Sequence, residues 1–385
     1  MIYLDNNAST KMDPAVRAAT EEALGLFGNP SSIHAEGRRA RRAVEEARAE
    51  VALLIGARPE EILFTSGGTE SNAMAVFGAV ERAGGRIVRS GAEHPSVREA
   101  FARLAGNDGC EEVVVNPGRS GALDAGAVEA VLRTPSRLVS VMLANNEYGG
   151  IFPLAAIARS ARTVGALCHT DAVQAAGRVP VDVRALDVDL LSLSAHKMHG
   201  PKGVGALFIR RGAALEPRTP GGGQERRMRA GTENTAGIVG FGAAARLARE
   251  RLSSDPPTIA RLRDRLEREI LASTPDARAV GAEVPRLPNT SAILFEGVSG
   301  DALAIRLDLE GVAVSVGSAC SSGSPTLSPA LLALGLTRSE AGRVVRLSLS
   351  RSTTADEVDE AARRIAACVS AMRAAALAPA AAALT

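Results

Sequence analysis

Lys197 stands directly behind His196 in Ser192-Leu193-Ser194-Ala195-His196-Lys197-Met198-His199-Gly200-Pro201-Lys202-Gly203. This small polar turn lies between two apolar runs, Val188 to Leu193 and Val204 to Phe208. The pattern reads as strand, turn, strand. A lysine held at a strand end in a dry pocket becomes a nucleophilic amine. In that form it makes Schiff bases with carbonyl substrates and with pyridoxal 5'-phosphate (PLP). In a chain with 45 Lys and Arg residues, a single lysine is also commonly a solvated surface charge. Its surroundings have to decide between the two.

Four more polar clusters follow apolar runs in the same way. Glu61 to Thr65 leads into Ser66-Gly67-Gly68-Thr69-Glu70-Ser71-Asn72, and a helical pattern follows through Val80. Strand, glycine turn and helix would leave free backbone N–H groups and a hydroxyl at a helix N-terminus, a geometry that binds phosphate. The same turn would equally serve a plain strand-to-helix connection. Arg86-Ile87-Val88 leads into Ala92-Glu93-His94-Pro95-Ser96. Leu138 to Leu143 leads into Ala144-Asn145-Asn146-Glu147-Tyr148, and Ala166 to Thr170 into Asp171-Ala172-Val173-Gln174. Helical stretches alternate with these runs, among them Glu36 to Ile55, with Val44, Ala47, Val51 and Leu54 on one face. Such alternation predicts an α/β fold with a mainly parallel sheet covered by helices. Ligands bind such sheets outside the carboxyl ends of the strands, where all five clusters fall.

Beyond Arg211 the pattern changes. Residues 221–234 form a glycine- and arginine-rich loop that contains Thr232, of the kind that carries function or reaches a partner. Ser253-Ser254-Asp255-Pro256-Pro257 punctuates the chain and suggests a boundary, dividing 13–254 from 1–12 with 255–385. The second unit is expected to hold strands at Ser291 to Phe295, Val312 to Val316 and Val344 to Leu349. Its helices are expected at Gly300 to Leu309, from Pro329, and from Thr354 with a capping box to Glu357. The Ala/Pro-rich tail from Arg373 is expected to be loosely ordered or weakly docked. Cys320 lies in Gly317-Ser318-Ala319-Cys320-Ser321-Ser322-Gly323, where a mobile loop would let a thiol travel; an incidental thiol fits the spacing as well.

A chain of 385 residues supports a large core and two domains. A net charge of +2 without basic blocks does not point to nucleic acid. No basic start followed by an apolar stretch suggests a signal peptide, and no apolar run is long enough for a membrane span. Cys110, Cys168, Cys320 and Cys368 are scattered, without metal or disulfide spacing, which fits a reducing cytoplasm. His196 and His199 lack a third ligand, so no intrinsic metal is expected.

Taken together, Ser194-Ala195-His196-Lys197 with Gly200-Pro201-Lys202-Gly203, Ser66-Gly67-Gly68-Thr69-Glu70-Ser71 and Asp171-Ala172-Val173-Gln174 resemble a fold-type-I, class-V PLP enzyme. Tyr3-Leu4-Asp5-Asn6-Asn7-Ala8, Ala144-Asn145-Asn146-Glu147 and the Cys320 segment narrow the resemblance to the NifS/IscS-type cysteine desulfurases, from Tyr3 to about Arg351. The resemblance implies a large domain with a mainly parallel seven-stranded sheet covered by helices, and a smaller α+β domain. It implies that Lys197 holds PLP and shuttles protons, that Asp171 pairs with the ring nitrogen, and that Gln174 bonds the phenolic oxygen. His94 would stack on the ring and serve in acid/base steps. Gly68, Thr69, Ser194 and His196 would hold the phosphate, and Thr232 would reach the phosphate of a neighbouring subunit in a homodimer. Asn146 and Arg346 would hold the carboxylate of L-cysteine. Cys320 would take the sulfur as a persulfide, leaving L-alanine, and pass it to an acceptor or iron–sulfur scaffold protein, where it could transiently ligate a nascent cluster. Val316 and Tyr148 depart from the usual family residues without removing a role. A selenocysteine lyase or another class-V enzyme is the nearest alternative, and a non-catalytic sulfur relay the most distant.

Overall fold

The computed structural model describes residues 1–80, 84–107, 109–317 and 327–377. In chain order the strands are β1 (Ile2–Tyr3), β2 (Ile62–Thr65), β3 (Gly85–Ser90), β4 (Cys110–Val115), β5 (Leu138–Ser140), β6 (Leu167–Asp171), β7 (Leu190–Ser194), β8 (Gly205–Ile209), β9 (Ala277–Ala279), β10 (Thr290–Phe295), β11 (Val312–Ala313), β12 (Ser315–Val316) and β13 (Val344–Ser348). The helices are α1 (Pro14–Ala23), α2 (Ala35–Leu54), α3 (Gly68–Val80), α4 (Pro95–Asn107), α5 (Ala125–Leu132), α6 (Leu154–Thr163), α7 (Val183–Leu186), α8 (Thr235–Arg251), α9 (Asp255–Ser273), α10 (Gly300–Leu309), α11 (Pro329–Ala333), α12 (Arg338–Ala341) and α13 (Ala355–Leu377).

A seven-stranded sheet in the order β2-β8-β7-β6-β5-β3-β4 forms the centre. Its strands are parallel except β8, which runs antiparallel to both neighbours. Strands β2, β5, β7 and β8 are mostly apolar runs because both faces are covered, as parallel sheets require. The main core therefore joins Ile62, Phe64, Val139, Leu191 and Phe208 of the sheet to Val44, Val51, Phe241 and Ala245 of α2 and α8. The helix starts follow local chemistry. Asp13 Oδ1 accepts from the Ala15 amide at 2.9 Å, with Pro14 opening α1.

The antiparallel strand is what creates the turn around Lys197. β7 ends at Ser194, the chain reverses through residues 195–204, and Gly205 returns it beside Ser194 on one side and Thr65 on the other. A Cβ on Gly205 would stand 2.6 Å from the Leu193 carbonyl oxygen and 2.7 Å from Gly67 Cα. Glycine here lets the turn before α3 lie against the Lys197 turn.

A second core gathers Ile2, Leu4, Leu266, Ile293, Phe295, Leu303, Leu347, Val358 and Ile365. It lies under the antiparallel sheet β12-β13-β10-β9 and the parallel pair β1-β11. The α/β class expected from the alternation is the observed one. Three local readings need correction. The run Val312 to Val316 is two strands in two sheets, because β11 pairs with β1 and β12 with β13. The break lies at residues 252–254, between α8 and α9, and Asp255-Pro256-Pro257 already opens α9, since proline fits the first helical turn. Of the tail expected to be loose from Arg373, residues 373–377 continue α13, with the Arg373 guanidinium donating to the carbonyl oxygens of Pro275 and Glu296, and residues 378–385 lie outside the described residues.

Candidate active site

The carboxyl ends of β6 and β7, the start of α3 and the residues after β3 and β5 enclose a cavity of about 260 Å³. Gly68, Thr69, His94, Asn146, Asp171, Gln174, Ser194, His196, Lys197 and Arg346 all line it. Residues from Gly68 to Lys197 meet because the parallel strands deliver their ends to one edge, and Arg346 is added from β13 of the second sheet.

Asp171 closes β6 with its carboxylate buried. Oδ2 accepts from Asn72 Nδ2 at 2.7 Å and Oδ1 from the Val173 amide at 2.9 Å. Lys197 Nζ donates to the carbonyl oxygens of Asn7 and Ala8 at 2.5 and 2.7 Å. Gln174 Nε2 donates to the same Asn7 oxygen at 3.0 Å. The backbone of His196 is fixed by Thr10, whose amide and hydroxyl both donate to its carbonyl oxygen, at 3.0 and 2.8 Å. Burial and the neighbouring cations Lys197, Lys202 and Arg178 lower the His196 pKa to about 4.

His94 is half-buried. The Ser96 amide donates to its Nδ1 at 3.1 Å, and Ser96 Oγ stands 2.8 Å from the same atom. An accepting Nδ1 leaves the proton of the neutral ring on Nε2. Desolvation holds the His94 pKa below the ordinary histidine range; Asp171 opposes that shift, while Lys197 and Arg98 add to it. Beside it, Glu93 is buried and accepts from Ser90 Oγ and, at 2.8 Å, from the Met142 amide. Its carboxyl is pushed up to about 8 by burial.

Arg346, on β13, donates from Nη1 to the Asn146 carbonyl oxygen at 3.0 Å and from Nη2 to Asp5 Oδ1 at 2.7 Å. Its Nε is buried without a hydrogen-bond partner among the described residues. A guanidinium with an uncommitted N–H at a cavity wall suits a carboxylate ligand.

This donor set fits PLP. It provides an amine, a buried carboxylate and an amide on the cavity wall, together with the start of the thirteen-residue helix α3, where an anion is favoured. The approach is tight, since a Cβ on Gly68 would come within 2.8 Å of Val173 Cγ2.

The aminotransferase class-V family matches residues 2–361. The chain belongs to that family, among its cysteine desulfurases. A cysteine desulfurase of Sinorhizobium fredii is 46% identical over 376 residues, covering 97% of each chain. The cysteine desulfurase NifS of Azotobacter vinelandii is 42% identical, covering 97% of this chain and 93% of its own. Among solved structures, a NifS-like protein superposes with a TM-score of 0.88 at 34% identity, covering 96% of this chain and 99% of that one. SspA in complex with cysteine superposes with a TM-score of 0.81 at 32% identity, covering 92% of this chain and 100% of that one.

Of the other residues singled out in the sequence, Thr232 does not line the cavity. Thr232 is exposed, on the glycine- and arginine-rich loop. Cys320 lies outside the described residues. The flanks of its segment can be placed: a Cβ on Gly317 would meet Glu147 Oε2 at 2.5 Å and Ser328 Cβ at 2.8 Å. Glu147 is itself buried, which raises its pKa to about 7. Conversely, Asn7, Ala8, Asn72, Ser96, Met142 and Val173 line the cavity without having been assigned a role from sequence. Asn72 was detectable, because it follows Thr69 by three positions and so shares its helix face.

Proposed function

We propose that the cavity holds PLP on Lys197 and that Cys320 carries sulfur away from L-cysteine as a persulfide, leaving L-alanine. The observation that supports this most is the convergence of the Lys197 amine, the Asn72-braced Asp171 carboxylate and the start of α3 on one cavity. Bound there, the cofactor supplies an electron sink that makes the α-proton of the amino acid labile. The chain's own residues do the rest. Asp171, held by two N–H donors, sustains a proton on the ring nitrogen. Gln174 bonds the phenolic oxygen. Gly68, Thr69, Ser194 and His196 hold the phosphate. Arg346 and Asn146 fix the substrate carboxylate, which points the sulfur away from them.

Lys197 moves the proton at Cα, and His94, with its hydrogen on Nε2, covers the ring and serves in proton transfer. The Cys320 thiolate bonds to the substrate sulfur as the Cβ–S bond breaks. The electron pair remains on the amino acid, and protonation there gives alanine.

Residues 13–254 form the cofactor-holding unit in this reading, and 1–12 with 255–385 the unit that carries Cys320. The protein works as a homodimer in which Thr232 reaches the neighbouring subunit's phosphate. The exposed apolar side chains Leu24, Phe27 and Ile33 between α1 and α2 favour a covered surface there. The sulfur passes to an acceptor or iron–sulfur scaffold protein in the cytoplasm. Cys168 and Cys368, free and buried, suit that compartment. No described helix is long and apolar enough to cross a membrane.

Mass spectrometry of the PLP-loaded protein after L-cysteine tests the reading. One added sulfur on the Cys320 peptide together with alanine is expected; alanine without that mass shift would remove Cys320 from its role.

A further inference from the structure

Arg178 lies four residues beyond Gln174, and its side chain is buried. Among the described residues no carboxylate pairs with it. Its acceptors are all neutral oxygens. Nη1 donates to Gln174 Oε1, to Asn7 Oδ1 at 2.8 Å and to the Gln174 carbonyl oxygen at 3.3 Å. Nη2 donates to the carbonyl oxygens of Asn6 and Lys197, both at 3.2 Å. A buried guanidinium without a counter-charge costs several kcal/mol, and burial together with the nearby Arg346 lowers its pKa to about 9. So expensive a group must do something that a packed apolar side chain would not.

The hydrogen-bond chemistry says what. A glutamine amide has an accepting end and a donating end, and its cavity-facing end is decided by whichever neighbour holds the other. Guanidinium only donates. Contact with Arg178 therefore fixes Oε1 away from the cavity edge. Nε2 is left facing Asn7 and Lys197, with one hydrogen on the Asn7 carbonyl oxygen and one to give.

We propose that Arg178 is a positioning residue that locks the Gln174 amide so that it offers the cavity a hydrogen-bond donor and never an acceptor. The proposal rests on the reading that PLP binds here with its phenolic oxygen beside Gln174. Arg178 touches neither cofactor nor substrate in this role; it acts through the amide. The same side chain ties the carbonyl of Lys197 to Asn6 and Asn7, so the amine, its acceptor and the amide are held as one unit. The other charged and titratable groups near it are Arg346, His196 and His199, and Lys197, Arg251, Asp255 and Arg351, which line a small cavity with it without pairing to it through a side chain.

The test is a pH titration of the visible absorbance of the PLP-loaded protein. When the bound cofactor loses its proton, its phenolic oxygen carries more negative charge, and a donor there favours that state. Arg178→Met lets Gln174 turn its oxygen inward, so the midpoint should rise by about one unit, or about tenfold in proton affinity. Arg178→Lys, which also only donates, should return most of the shift. In a Gln174→Ala background, Arg178→Met should move the midpoint by less than half as much. If Arg178→Met does not retain PLP, Arg178→Gln replaces it, because its amide can accept as well as donate. Loss of PLP from both, with retention by Arg178→Lys and an unchanged melting temperature without cofactor, also supports the proposal. A wild-type midpoint in Arg178→Met, the same shift without Gln174, or PLP loss from Arg178→Lys overturns it. A wild-type protein with no visible absorbance after PLP loading would instead overturn the PLP reading.

Discussion

Asn72 Nδ2 stands 2.7 Å from Asp171 Oδ2 and 2.8 Å from Ser96 Oγ, so one buried amide ties the Asp171 carboxylate to the serine that orients His94. The Asp171 carboxylate and the His94 imidazole are thus braced by the first turn of α3. Replacing this amide should disturb cofactor retention before it disturbs the fold. Asn72→Ala is expected to weaken PLP binding about tenfold, the equivalent of one charge-assisted hydrogen bond. Equilibrium dialysis followed by absorbance measures it; an unchanged dissociation constant would mean that Asp171 needs no brace.

Glu93 gives the protein an alkaline limb of instability. Its folded pKa of about 8 lies well above the ordinary carboxyl value. The folded state therefore holds a proton that the unfolded state releases near pH 4.5, and the stabilisation present below that value is lost as pH rises towards 8. The slope is about 1.4 kcal/mol per pH unit. Glu93→Gln should flatten this limb. Relative to wild type, its unfolding free energy should gain about 2 kcal/mol between pH 6 and pH 8. Urea unfolding at the two pH values gives the comparison, and parallel curves would show that Glu93 is ionised in the fold.

Substrate affinity should be sensitive to the shape of the Arg346 head group rather than to its charge alone. A lysine cannot reach Asn146 and Asp5 while offering a third N–H to a ligand. Arg346→Lys is expected to raise KM for L-cysteine by about 30-fold with a smaller change in kcat. A fall confined to kcat would place Arg346 in the chemical step instead.

Arg48 and Glu225 form a buried pair with contacts of 2.7 and 2.9 Å, and Glu225 also accepts from the Phe64 amide at 2.9 Å. This anchors the loop that carries Thr232 to the edge strand β2. Arg48→Met leaves the carboxylate buried without its cation and should cost about 3 kcal/mol. Arg48→Met with Glu225→Gln should recover part of that loss. Chemical denaturation of the set decides it, and a single mutant as stable as wild type would mean that solvent reaches Glu225.

Cys320→Ser should keep the absorbance of bound PLP and abolish the added sulfur seen by mass spectrometry. Sulfide release at the wild-type rate from this variant would reassign the thiol.

The strand ends were the legible part of the sequence. Apolar runs that stop at Thr65, Thr170 and Leu193 can only be buried strands, and the polar residues after them are forced to one edge of a parallel sheet. The apolar run after Val312 carried no such signal. Whether Ala313 and Ser315 belong to one sheet or two depends on two different partners, Tyr3 at the start of the chain for Ala313 and Arg346 on β13 for Ser315. Asn7 was equally opaque. Its carbonyl oxygen serves both Lys197 and Gln174, and its side chain reaches Arg178, Thr290 and Asn289. Nothing local in an asparagine marks it as a junction. Arg178 looked like any other of the chain's many arginines until its neutral surroundings could be seen.

Asn6 and Asn7 are also stitched to β13, through the Ser348 carbonyl and hydroxyl oxygens at 3.1 and 2.9 Å. Asn7 leaves the ribosome 341 residues ahead of Ser348, so this segment waits for β13 before it settles. Until Ser348 has emerged and β13 has paired with β10, the acceptor for the Lys197 amine has no fixed place. A nascent chain can therefore fold much of its central sheet before the cavity around Lys197 is complete.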